Sequence, residues 1–151
     1  MANSQAMCTS FKAESWLALH ALGTTVTRAG TGADTIKAAL YLASGSLGAA
    51  TTAYSATSEV SNSGTYSAGG TTVTNGTAPT TSGTSAIWTP TASFQWTGFT
   101  AAAFDTVLLY NSTQSNRAIS VHTFGSQTVT AGTFTLTMPS NTVGNALLQL
   151  S

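Results

Sequence analysis

The stretch FDTVLLYNSTQSNRAISVHTFG, Phe104 to Gly125, decides the fold. Val107-Leu108-Leu109-Tyr110 is apolar on both faces, the pattern of a strand covered on both sides. Asn111 to Asn116 is a run of small polar side chains that bond their own backbone and tolerate unusual dihedrals, so it reads as a turn. Ala118-Ile119-Ser120-Val121 then returns across the first strand. The spacing predicts a central antiparallel hairpin with further sheet laid around it.

Outward from this hairpin the same alternation recurs. Gln127 to Met138 places Phe134, Leu136 and Met138 on one face and Thr133, Thr135 and Thr137 on the other, a half-exposed strand with a bulge expected at Ala131-Gly132. Pro139 to Gly144 turns the chain into a last strand, Ala146 to Leu150, with Leu148 and Leu150 inward. Upstream, Asp34 to Leu42 puts Ile36, Ala38, Leu40 and Leu42 on one face; helix competes there on propensity, but the flanking Gly and Thr favour strand. Shorter strands are expected at Thr71–Thr74, Ala86–Trp88 and Ala92–Trp96. Ala43 to Gly64, anchored by Tyr54, Glu59 and Val60, reads mostly as loop, as does Ala78 to Thr84. Before all of this, Asn3 or Ser4 caps an expected helix running to Leu22, with Gly23 as its stop. Thr24 to Ala33 connects the two parts.

The fold class expected is therefore mainly β, an antiparallel β-sandwich or jelly roll with one N-terminal α-helix. Residues 1–23 form the helix, either part of the same domain or a docking arm, and residues 34–151 the sandwich domain. At 151 residues the chain is long enough to bury a core without staples.

Charge is scarce. Only 5% of residues are Asp, Glu, Lys or Arg, against roughly 25% in ordinary soluble domains, and they balance to zero. Clustered Lys and Arg are what displace counterions from phosphates, so direct nucleic-acid binding is not expected, nor is an anionic membrane surface. No stretch approaches the roughly 18 apolar residues of a membrane span. Cys8 is the sole cysteine, and Met1 to Leu22 lacks a basic start followed by an apolar run, so neither a disulfide framework nor a secretory leader is expected.

Candidate chemistry is thin. Paired carboxylates for acid–base work would have to come from Glu59 and Asp105; Asp105 fits better as a partner of turn amides or of Arg117 across the hairpin. His20 lies where a helix C-terminus would favour it, and His122 alternates with Ser120 and Phe124 as a surface or interface position. A hydrolase would need Glu59 or Asp105 to meet His122. Two histidines and one cysteine far apart make a poor metal set, and Gly30-Thr31-Gly32 lacks the third glycine of a dinucleotide loop, so it reads as a turn. No catalytic residue, metal ligand or cofactor is assigned. Tyr54, Tyr66, Trp88 and Trp96 could stack on a sugar if they were exposed. Trp16 lies off the helix's apolar stripe, which makes it either a contact residue or part of a wider buried face.

Several stretches, taken together, resemble a group of small virion proteins of tailed bacteriophages. They are Ala6 to Glu14, Asp34 to Tyr41, Thr52 to Ser55 with Glu59-Val60, Tyr66 to Gly70, Leu109 to Asn111 with Asn116 to Ala118, and Ala131 to Phe134. The resemblance implies a non-enzymatic structural protein, with a capsid cement or decoration role first. It would be made in the host cytoplasm and sit on the capsid surface, with the major capsid protein and copies of itself as partners. Phe11, Trp16 and His122 are then the expected partner contacts. A tail- or fibre-associated component that binds host-surface carbohydrate is the alternative.

Overall fold

The computed structural model describes residues 2–16, 18–23, 33–74 and 78–151, with the backbone alone for Ala13 and Trp16. Its elements, in chain order, are β1 (Ala6–Met7), α1 (Thr9–Trp16), β2 (Ile36–Leu42), β3 (Thr71–Thr72), β4 (Thr80–Ser82), β5 (Ser85–Trp88), β6 (Phe94–Asn111), β7 (Arg117–Leu136) and β8 (Leu148–Leu150). They form two antiparallel sheets, a five-stranded one in the order β1-β7-β6-β2-β3 and a three-stranded one in the order β4-β5-β8. The fold is an antiparallel β-sandwich with one short helix. Residues 24–32, which hold most of the expected connection and the Gly30-Thr31-Gly32 turn, lie outside the described residues.

The central hairpin is present with its turn at residues 112–116. Asn111 Oδ1 accepts the amides of Thr113 and Gln114, each at 3.1 Å, and Ser115 and Asn116 take left-handed backbone angles that short polar side chains tolerate. The arms, however, are 18 and 20 residues long. The expected strands at Ala92–Trp96 and Gln127–Met138 are the far ends of these same two strands.

Bulges make that length possible. The β6–β7 register slips between Trp96 and Phe99, again before Ala101, Phe104 and Thr106, and once more beside Tyr110. Gly98, Ala103 and Ala131 have positive φ at these irregularities, which includes the bulge expected at Ala131-Gly132. Each bulge bends the strand and increases its twist. The bending is large: the rings of Phe124 and Phe134, ten residues apart on β7, have centroids 5.7 Å apart. In a straight strand ten residues would span roughly 33 Å. The ribbon therefore curls around its own aromatic face. Trp96, Phe99 and Phe104 are buried inside it, and Phe134 meets all three.

Around the hairpin turn the sheet is covered on both faces, as the continuous apolar runs require. On one face Val107, Leu109 and His122 look across a recess of about 180 Å³ to Leu147 and Pro139, which precede β8. Trp88 and Leu148, paired between β5 and β8, bring the small sheet into the same core. The segment 43–70 covers the other face. Tyr54 stacks on Tyr110 with centroids 4.7 Å apart, and the Tyr41 hydroxyl donates to the Ser55 carbonyl.

Glu59 fastens that segment. Its carboxylate accepts the hydroxyls of Tyr54 at 2.6 Å and Tyr66 at 2.8 Å, and the Gly69 amide at 2.7 Å. Tyr66 in turn accepts the Leu40 amide of β2 at 2.9 Å. Burial, ahead of the neighbouring carboxylate, pushes the phenols of Tyr41, Tyr54 and Tyr66 up, so each remains a donor.

Three local readings are corrected. The N-terminal helix spans eight residues, not twenty. Ala6 and Met7 are drawn into the sheet opposite Val121 and Ser120, and Cys8 donates its amide to Ile119. At the other end the chain turns out at Ala18, whose φ is 53°, with Leu19 N–H bonding the Glu14 carbonyl and Ala18 N–H that of Ser15. That is a Schellman ending with alanine in the place glycine usually takes. Second, Thr80–Ser82 inside the expected loop is a strand that turns through Gly83-Thr84 into β5. Third, Leu150 is 42% exposed while Leu148 is buried.

Replacing Glu59 with alanine leaves the buried Tyr66 hydroxyl and the half-buried Tyr54 hydroxyl and Gly69 amide without their acceptor. The expected loss of stability is about 3 kcal/mol or more by urea denaturation. A loss under about 1 kcal/mol would show that the segment is held by ring packing alone.

Candidate functional site

The ionisable side chains gather where α1, the start of β2 and the hairpin turn meet. Glu14 is buried on α1. One carboxylate oxygen accepts Arg117 from β7, and the other lies 2.8 Å from His20 Nε2. The His20 side chain is 2% exposed and Arg117 43%. On its other side, His20 Nδ1 lies 3.1 Å from Asn111 Nδ2. The same Asn111 nitrogen donates to Asp34 Oδ2 at 2.7 Å, and that oxygen also accepts the Ala21 amide at 2.8 Å. Burial lowers the His20 pKa and outweighs the carboxylates of Glu14 and Asp34, which raise it.

Beside this cluster an apolar groove of about 340 Å³ runs between α1 and the small sheet, lined by Met7, Phe11, Leu22, Trp88 and Leu148 among others. Phe11 is 4% exposed, and its ring lies 4.8 Å from that of His20. It is a wall of this groove and a core residue. The Trp16 side chain lies outside the described residues.

His122, expected as a surface or interface position, is half-buried. Its Nε2 lies 2.8 Å from Ser120 Oγ, and its ring lines the recess opposite Leu147. Burial lowers its pKa to about 4. The reason is register: His122 pairs with Val107 on β6, on the face that Pro139 and Leu147 cover.

Neither carboxylate suggested for catalysis is bonded to His122. Glu59 holds tyrosines, and Asp105 accepts Asn3 Nδ2 at 2.9 Å and Thr106 Oγ1 at 2.6 Å. Nor does Asp105 pair with Arg117. Arg117 stands opposite Asn111, six residues along β6 from Asp105, which at strand rise is about 20 Å. His20 bonds the Glu14 carboxylate, where a helix-end dipole was expected. Cys8 is fully buried, and its thiol is pushed up to about 11 by burial and then by Glu14, which makes it a poor nucleophile at neutral pH. Among the described residues no group of three or more His, Cys, Asp and Glu side chains could hold a metal. No described helix is long and apolar enough to cross a membrane.

The aromatic platform is likewise internal. Tyr66, Trp88 and Trp96 are each 1% exposed, and Tyr54 is half-buried against Tyr110. Trp96 Nε1 donates to Thr71 Oγ1 at 2.9 Å, the bond a buried indole needs.

Sequence reasoning placed Glu14, His20, Asp34, Asn111 and Arg117 in separate elements and missed their meeting. Glu14 and Arg117 are 103 positions apart, and no local pattern announces such a pair. Comparison with protein-family models, curated proteins and solved structures finds no match to this chain.

The His122 pKa gives a pH signature. The folded value, about 4, lies below the ordinary 6.5, so between these pH values the unfolded chain binds the extra proton. Stability is full above 6.5 and falls toward pH 4, by about 3 kcal/mol from this residue. Urea melts over that range should show the fall, and His122→Gln should reduce its slope. An unchanged slope in the variant means that the ring is solvated.

Proposed function

We propose that the chain is a non-enzymatic structural protein of a virus particle, a capsid cement or decoration protein that bridges shell subunits. The observation that carries this reading is where the charges are. Glu14, Asp34, Glu59 and Asp105 all accept bonds that fasten one part of the chain to another. The outer face of the curled ribbon presents Gln95, Thr97, Thr100, Thr128, Thr130, Thr133 and Thr135 to solvent and not one charged group.

Such a surface carries no field to keep neighbours apart and no charged groups to strip of water on contact. It suits dense, permanent packing against the major capsid protein and other copies of the chain. The resemblance of the scattered sequence blocks to small virion proteins supplies the context. Contacts of this kind rest on apolar area and main-chain bonds, so they are insensitive to salt. The reading assigns no direct nucleic acid, membrane or cofactor, and it locates the protein on the capsid surface.

Electron microscopy of particles with and without the gene tests it. Loss of density between capsomers, with shells that rupture at lower temperature and protein that stays bound at about 1 M salt, is the expected result. Density lost from the tail, or particles that never contain the protein, would overturn it.

A further inference from the structure

His20 and Asn111 are held in a hydrogen-bond arrangement with only one consistent assignment of protons. Asn111 Oδ1 accepts from Thr113 and Gln114, which fixes the side-chain amide with its nitrogen toward Asp34 and His20. An amide nitrogen only donates, so His20 Nδ1 must accept. Its Nε2 then carries the proton and donates it to Glu14 Oε2. The ring is therefore neutral in this geometry. A proton added at Nδ1 would face the Asn111 NH2 group, donor against donor.

We propose that this pair is a proton-operated latch: neutral His20 keeps Asn111 capping the β6–β7 turn, and protonation of Nδ1 turns the Asn111 amide and uncaps it. Reversal of the amide turns Oδ1 toward the new N–H but also against Asp34 Oδ2, so the turned side chain gives up its bond to Asp34 as well, and the Thr113 and Gln114 amides lose their acceptor. The turn is also a junction. Thr113 Oγ1 accepts the Thr35 amide ahead of β2, and the Asn116 carbonyl accepts the Tyr54 amide. Opening it loosens the attachment of two segments at once.

The charged groups facing His20 among the described residues are Glu14 on α1, Asp34 ahead of β2 and, beyond Glu14, Arg117 on β7. The two carboxylates favour the protonated ring; burial and Arg117 oppose it, and burial is the largest influence. The latch is closed at neutral pH and opens as pH falls below the ordinary histidine value of 6.5. This device is independent of what the exterior docks on.

Nitrogen-15 NMR of the intact protein between about pH 7.5 and 4.5 tests it, with His122→Gln used to isolate the His20 signal. The expected result is an Nε2–H tautomer at neutral pH and a His20 midpoint below 6.5. Amide exchange at Thr113 and Gln114, corrected for its intrinsic pH dependence, should rise about tenfold with that same midpoint. In His20→Gln the rise should vanish. An Nδ1–H tautomer overturns the proposal, as does a midpoint at or above 6.5, exchange that ignores the titration, or global unfolding before His20 titrates. The wild-type titration decides even if the His20 variant does not fold.

Discussion

A two-stranded ribbon has only one neighbour per strand, and among the described residues neither β6 nor β7 has a third strand along its outer half. Such ribbons are marginal in water unless a face is covered. This chain covers the face by rolling it up. Phe104 meets Phe134 edge to face at 4.8 Å, Trp96 stacks on Phe134 at 5.8 Å, and Tyr66 seals Trp96 and Phe99 from the side. Edge-to-face and offset contacts of this kind add to the area that the rings bury. The curl requires bulges, and the bulges require backbone angles that alanine disfavours at Ala103 and Ala131. The aromatic cluster is what offsets that strain. Gly64 completes the seal: a Cβ there would come within 2.1 Å of the Thr97 carbonyl, so the loop can approach the ribbon only with glycine.

The same curl answers a problem of edges. From His122 to Leu136, β7 carries no Lys, Arg, Asp, Glu or Pro, the usual devices against strand addition. β1 covers only Ser120 and Val121. A flat, neutral edge of that length would invite pairing with any extended chain. Repeated register shifts bend it instead, so no long straight segment is on offer. Bulges thus close the core and blunt the edge in one device.

What the sequence showed follows from the range of each signal. Alternation is local, so β2, the inner halves of β6 and β7, and Thr133 to Leu136 could be read directly. Turn chemistry is local too, and Asn111 caps its turn as its residue type suggests. The continuity of β6 through Gly98 and Ala103 was hidden, because a bulge shifts the period and makes one strand look like two. The N-terminal helix was overestimated because Met7 and Phe11 share a helical stripe. Sheet pairing of Ala6–Met7 overrode that propensity, and an alanine ending gives no glycine signal. At the candidate site, Phe11 and His122 were recognised as notable positions, but the burial of Phe11 and the half-burial of His122 were not legible. Burial depends on what lies opposite, and a lone sequence does not supply it.

The remaining lesson concerns charge. A chain with only eight charged residues could have scattered them outside for solubility. Here three of the four acidic side chains instead join distant segments: Asp105 holds Asn3 across 102 positions, Glu14 holds Arg117 across 103 and Asp34 holds Asn111 across 77, while Glu59 ties Tyr54, Tyr66 and Gly69 together within the segment 43–70. The first three join a terminus, helix or loop to the sheet and Glu59 shapes a loop that packs on it, where apolar packing is non-directional and leaves a long segment several ways to lie. A buried carboxylate with two or three donors selects one of them, since every other arrangement strands a polar group. The acidic side chains are used as internal fasteners, while Lys12 and part of Arg117 remain exposed. The polar clasps thus set the uniqueness of the fold, and the outer face of the ribbon is left to threonine and glutamine.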